Sequence, residues 1–160
     1  MKSTDRKKEP YKVGVLSVVK HDYLPRAIAA HPRFSLSFVS DEISRPEWTH
    51  ERNQKFADEF QIPYIKDIDA AIKDNQIDAV AVSPEAERHC ELAIIAAEAG
   101  LHIVVDKPLS TNTHKCDKLI EAVNKNGVSC LVWNRNYLPA LIQANQKVSS
   151  GEIGKLLSLH

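Results

Sequence analysis

The stretch Val104-Val105-Asp106-Lys107-Pro108-Leu109 carries the strongest chemical signal in the chain. A lysine beside an acid, at the mouth of an apolar run and followed by proline, can hold its ammonium against a substrate oxygen. Desolvation there can tune its basicity. The alternative is a surface ion pair at a strand end. A second candidate is Ser17-Val18-Val19-Lys20-His21-Asp22, which follows the first apolar run. A dinucleotide site normally has Gly-x-Gly-x-x-Gly here, so that backbone can approach a diphosphate. None of those positions is glycine, and Gly14 lies inside the run. Val19 puts a branched side chain where the second glycine gives room, and Asp22 puts negative charge at a helix start. Lys20 and His21 could compensate with cationic contacts to phosphate, or be solvated loop residues.

Two further strand ends carry polar groups. Asp41, in Val39-Ser40-Asp41-Glu42, lies 24 residues beyond Ser17, near the spacing at which an acid accepts a ribose 2′-hydroxyl. Glu42 follows where a 2′-phosphate would want a basic group, so the pair favours NAD over NADP. Asp41 as a simple turn former is the alternative. Ser83 and Pro84 make a sharp strand-to-helix turn, and His89 falls in the first turns after it. A lone histidine there is more often packed or solvated than catalytic.

The elements that must position these groups alternate regularly. Apolar runs at 12–19, 34–40, 63–65, 79–82, 102–105 and 129–133 are β-branched and nearly continuous, as strands buried on both faces are. Helical patterns fill 24–31, 47–60, 68–74, 86–99, 113–126 and 139–149. Gly100 and Gly127 sit where left-handed caps end helices, and Thr111 or Thr113 can cap the helix that follows. This alternation predicts an α/β fold, a doubly wound parallel sheet of the Rossmann type. Ligands of such sheets bind outside the carboxyl ends of the strands, where all the candidates above lie. Residues 1–10 read as a solvated tail and 11–150 as the domain. The run from Lys155 to His160 reads as the first strand of a second, truncated α+β domain occupying 151–160.

Composition excludes several classes. With 21 basic and 21 acidic residues, the chain has no net field to draw nucleic acid or an anionic membrane. No apolar stretch approaches the roughly twenty residues that cross a bilayer. The charged start lacks the apolar region of a secretory signal. Cys90, Cys116 and Cys130 are far apart, without Cys-x-x-Cys or metal-ligand spacing, and read as reduced thiols of a cytoplasmic protein with no metal. A receiver domain would need an acidic pair after the first strand, and Ser17-Val18-Val19 supplies none.

Taken in order, several segments resemble the Gfo/Idh/MocA oxidoreductases, relatives of glucose–fructose oxidoreductase and inositol dehydrogenase. They are Ala27-Ile-Ala-Ala-His-Pro32, Phe38-Val-Ser-Asp41, Gln76-Ile-Asp-Ala-Val80, His89-Cys-Glu-Leu-Ala93, Glu98-Ala-Gly-Leu-His-Ile-Val104, Asp106-Lys-Pro-Leu109, Trp133-Asn134 and Ser150-Gly-Glu-Ile-Gly-Lys155. The resemblance implies hydride transfer between a nicotinamide dinucleotide and a hydroxyl-bearing carbon of a sugar, cyclitol or related small molecule. It implies a catalytic Lys107 beside the nicotinamide, with Asp106 in place of a glutamate and Pro108 as the shaping, often cis, proline. Ser83, Pro84 and His89 would lie along ribose and nicotinamide, and Asn134 would follow the sixth strand in the same site. It also implies a further domain bearing substrate contacts, a catalytic histidine and the oligomer contacts. The chain departs from the family in its glycine-less loop, in Asn136 where arginine is frequent, and in the wider Pro84–His89 spacing. These departures support a rival reading, a degenerate Rossmann module that binds or assembles without catalysis.

Overall fold

A computed structural model describes residues 9–74, 76–134 and 138–158. Asn136, the outer part of the tail and the last two residues lie outside them. Six strands form one parallel sheet: β1 (Tyr11–Leu16), β2 (Phe34–Ser40), β3 (Tyr64–Ile65), β4 (Ala79–Val82), β5 (His102–Val105) and β6 (Cys130–Val132). Their order is β3-β2-β1-β4-β5-β6, so strand order reverses between β1 and β4. The connecting helices are α1 (Tyr23–Ala29), α2 (Glu47–Phe60), α3 (Ile68–Asp74), α4 (His89–Glu98) and α5 (Thr113–Asn126), with α6 (Pro139–Ser149) after β6.

The near-continuous apolar runs are explained by burial on both faces. Leu16, Phe38, Val80, Val82, Ile103 and Val105 pack against Ile68 and Ala71 of α3, the alanine-rich α4 and Leu119 and Ala122 of α5. On the opposite face Val15, Val18 and Val39 meet Phe56 and Ala57 of α2. Gly14 is set by packing rather than by conformation. A Cβ there would stand 2.5 Å from the Phe38 ring. The register between β1 and β2 also shifts at this point, from Val13↔Leu36 to Gly14↔Phe38.

Local chemistry ends the helices largely as the sequence predicts. Gly100 and Gly127 are left-handed, with φ of 76° and 65°. The cap of α5 differs from expectation. It is Asn112, not Thr111 or Thr113, whose side chain accepts the His114 N–H at 2.9 Å. Asn112 is the extended residue before the helix, whereas Thr113 is already its first helical residue. The pattern at 86–99 splits into a 3₁₀ turn, Ala86–Arg88, and α4. β1 ends three residues before the expected Val19 because Ser17 turns left-handed at φ 63°. Residues 155–158 carry no strand pairing, and Leu156 and Leu157 are exposed. No described strand lies beside them to pair with.

The three cysteines, distant in sequence, all belong to one face of the sheet, on α4, α5 and β6. Cys90 is buried, and its thiol donates to the Leu109 carbonyl at 3.3 Å. Burial pushes the Cys90 thiol up to about 11, and the neighbouring Cys116 and Cys130 add to the shift. The nucleophilic thiolate therefore forms only as pH approaches that value. Iodoacetamide at pH 8 should leave Cys90 unmodified in the folded protein and label it in guanidinium, read by peptide mass. Separately, Gly14→Ala should lower stability by about 1–3 kcal/mol through overpacking against Phe38. Chemical denaturation checks this, and an unchanged midpoint would contradict it.

Candidate functional site

The carboxyl ends of β1, β5 and β6 open onto a cavity of about 690 Å³, lined by His21, Tyr23, Lys107, Trp133, Asn134 and Leu138. That volume lies in the range of small-molecule sites. Three sequence candidates, His21, Lys107 and Asn134, meet here. Tyr23, Trp133 and Leu138 add apolar surface, with His21 and Tyr23 ring centroids 5.3 Å apart and Tyr23 and Trp133 6.4 Å apart. Flat faces with a few convergent polar groups suit a planar ring or a hydroxylated ligand.

Lys107 is held by its turn, not by an ion pair. Asp106 is buried, and its Oδ1 accepts the Tyr23 hydroxyl and, at 2.7 Å, the Lys107 backbone N–H. Among the described residues no carboxylate pairs with the Lys107 ammonium. In place of the alternative, a surface ion pair, the Asp106 carboxylate shapes the backbone and leaves the ammonium to the cavity. The Lys107–Pro108 bond is cis. His89 is 2% exposed, with Nδ1 2.5 Å from the Pro108 carbonyl oxygen and Nε2 3.2 Å from that of Pro84. This corrects the expected ligand role of His89. It ties the Ser83–Pro84 turn to the Lys107–Pro108 turn and is enclosed beneath both.

The loop after β1 also differs from a glycine-rich cradle. Ser17 adopts the left-handed backbone that a glycine would take freely, and its N–H donates to the Ser40 carbonyl at 2.9 Å. The Val18 N–H donates to Asn53 Oδ1 at 2.8 Å. Neither amide is available to a diphosphate. The Val18 side chain turns down against Phe56 and Ala57 instead of standing in the crevice, and Val19 is buried beside it. Lys20 is exposed at the loop's outer edge. Asp22, at the start of α1, pairs with Arg26 at 2.8 Å, which holds its carboxyl below the usual range.

On the β2 side Asp41, expected at a ribose hydroxyl, is bonded within the protein. Asp41 is fully buried. Its Oδ1 accepts from Arg88 and, at 2.9 Å, from the Glu42 N–H, while its Oδ2 accepts from Asn53 at 2.9 Å. Arg88 also donates to Glu42 at 3.0 Å and to Glu85 at 3.1 Å, and Arg45 donates to Glu85 at 2.9 Å. Burial works against ionisation of Glu85, yet its own backbone N–H and Arg88 hold its pKa below the ordinary value. Sequence reasoning missed Arg88 and Asn53. Adjacent acids at 41 and 42 signalled a need for positive charge, but nothing in the sequence pairs 41 with 88 or 53.

The two sides of the crevice thus differ in how their polar groups are engaged. The β5–β6 side is open and aromatic, whereas on the β2 side the Asp41 carboxylate and the Ser17 and Val18 amides are already bonded. At the row between them Ser17 Oγ, Ser83 Oγ and Asp106 Oδ2 are buried without hydrogen-bond partners among the described residues. Such orphans are costly to a fold and fit a place where polar matter arrives. No group of three His, Cys, Asp or Glu among those residues is placed to hold a metal, and no described helix is long and apolar enough to cross a membrane. Ser17→Gly removes both the left-handed strain and one orphan hydroxyl. It should stabilise the domain by about 1 kcal/mol, read by denaturant midpoint, and a lower midpoint would contradict this reading.

Comparison with known proteins identifies the family. The profile of an oxidoreductase family with an NAD-binding Rossmann fold matches residues 16–133. Levoglucosan dehydrogenase of Pseudarthrobacter phenanthrenivorans is 36% identical over 88 residues, which make up 54% of this chain and 23% of that enzyme. The scyllo-inositol 2-dehydrogenase (NAD(+)) of Bacillus subtilis is 36% identical over 85 residues, 52% of this chain and 25% of that enzyme. The chain thus spans about a quarter of the curated relatives it matches. The solved myo-inositol 2-dehydrogenase of Lactobacillus plantarum shares the fold, with a TM-score of 0.79 at 18% identity over 93% of this chain and 44% of that one. The chain therefore belongs to the Gfo/Idh/MocA oxidoreductases, as their NAD-binding Rossmann domain.

Proposed function

We propose that this chain is the cofactor-binding part of an NAD-dependent oxidoreductase acting on a hydroxyl-bearing carbon of a sugar or cyclitol. One observation carries the reading: the Lys107 ammonium, paired with no carboxylate among the described residues, lines the same cavity as Asn134 and the faces of His21, Tyr23 and Trp133. A nicotinamide ring bound there supplies or accepts the hydride. Lys107 hydrogen-bonds the substrate oxygen and stabilises the negative charge that builds on it. Tyr23 and Asp106 hold the Lys107 turn, and Asn134 offers polar contact from the end of β6. The substrate class follows the relatives, which are named as dehydrogenases of levoglucosan and of scyllo-inositol.

NAD is preferred over NADP in this reading. Asp41, Glu42 and Glu85 outnumber Arg45 and Arg88 at the β2 side, so a 2′-phosphate meets net negative charge. The bonded loop amides favour a second reading, a Rossmann module that binds without catalysis. Complementary domains, an oligomeric assembly and a cytoplasmic setting belong to the enzyme reading as its further expectations.

NADH titration, followed by energy transfer from Trp133, separates the readings at their root. Binding with NADH favoured over NADPH is expected, and no binding at millimolar concentration would overturn the cofactor reading. In the enzyme that carries this domain, Lys107→Met should cut turnover by roughly 100-fold or more while NADH affinity moves only a few-fold. Undiminished turnover would remove Lys107 from the mechanism.

A further inference from the structure

Resting on the reading above, we propose that the domain takes its nucleotide from the nicotinamide end, and that Arg88 keeps the adenosine end shut. β1 lies between β2 and β4 in the sheet. Any bond from the loop after β2 to the turn after β4 must therefore pass the carboxyl end of β1. Arg88 makes that crossing: it rises from the turn after β4 and binds Asp41 and Glu42 after β2. Arg45 returns the connection from the β2 loop to Glu85. Five charged side chains thus clasp the two loops together.

The clasp is built, not incidental. Arg88 is 7% exposed and Asp41 is fully buried, so neither is a solvated surface charge. Asn53 fixes the far oxygen of Asp41 while its own carbonyl oxygen holds the Val18 N–H. One amide side chain therefore couples the clasp to the loop that faces a diphosphate. A nucleotide's adenosine ribose needs a hydrogen-bond acceptor at the end of β2, a role an amide oxygen also fills, and here both oxygens of the buried Asp41 already accept from Arg88, Asn53 and the Glu42 N–H. Separating a buried ion pair without replacing its bonds is strongly unfavourable. The cavity on the β5–β6 side needs no such rearrangement.

The binding consequence is a reversal of the usual contribution of the two halves. Nicotinamide mononucleotide loses little by lacking adenosine, because adenosine must first break the clasp. Any gain from adenosine contacts is offset by that opening. Arg88 is therefore a specificity-determining residue that acts through Asp41, without itself touching the nicotinamide.

The test measures nicotinamide mononucleotide, AMP and NAD binding to the protein by calorimetry. Wild type should bind the mononucleotide and NAD within about threefold of each other, with AMP undetectable at millimolar concentration. Arg88→Met alone would strand the Asp41 charge, so the double variant Asp41→Asn/Arg88→Met removes both charges together. It should tighten NAD at least tenfold and leave the mononucleotide unchanged, with Arg88→Lys intermediate. Measurable AMP binding to wild type, NAD tenfold tighter than the mononucleotide in wild type, or an unchanged ratio in the double variant would each overturn the proposal. Those results would leave the cofactor reading standing. Failure of all three ligands to bind either protein would overturn both.

Discussion

The ion pair between Asp41 and Arg88 governs the rest of the site. It joins the loops on either side of the central strand, and its position follows from sheet order alone. Around it the crevice divides. One half is ionic, closed and tied through Asn53 to the loop after β1. The other is aromatic and open, with Lys107 projecting into it. A parallel sheet gathers all these groups at one edge because every strand delivers its carboxyl end there.

The two halves are also held differently. The closed half relies on charges that offset one another's burial, an arrangement whose worth lies in fixing geometry more than in adding stability. The open half relies on backbone. His89 sits beneath the Ser83–Pro84 and Lys107–Pro108 turns, and the Asp106 side chain caps the second of them by accepting the Lys107 backbone N–H. Lys107 thus gains a defined position without a partner that would neutralise it. The local bonds explain how the ammonium is kept available to the cavity.

Much of this was legible in the residues. β2, β4 and β5 and helices α2, α3, α5 and α6 were readable to the residue, because burial on both faces and amphipathic spacing leave strong local patterns. Gly100 and Gly127 were readable because a left-handed cap selects glycine. Lys107, His21 and Asn134 could be named since each follows a strand, and strand ends share one edge. Arg88 could not. The expected sheet order puts β1 between β2 and β4, but which side chains meet across it is a long-range pairing that no local pattern marks. The partners of Asp41 stayed invisible for the same reason, although its place after β2 was legible. The Asn112 cap was missed because three adjacent residues can all cap, and only the backbone conformation chooses among them.

The account stands on the claim that nucleotide contact is concentrated at the nicotinamide end. Saturation-transfer difference NMR on NAD in the presence of the protein tests it most directly, since it reads proximity proton by proton. Strong transfer to the nicotinamide protons and weak transfer to the adenine H2 and H8 protons is the predicted pattern. Adenine protons saturated as strongly as, or more strongly than, those of nicotinamide would contradict it.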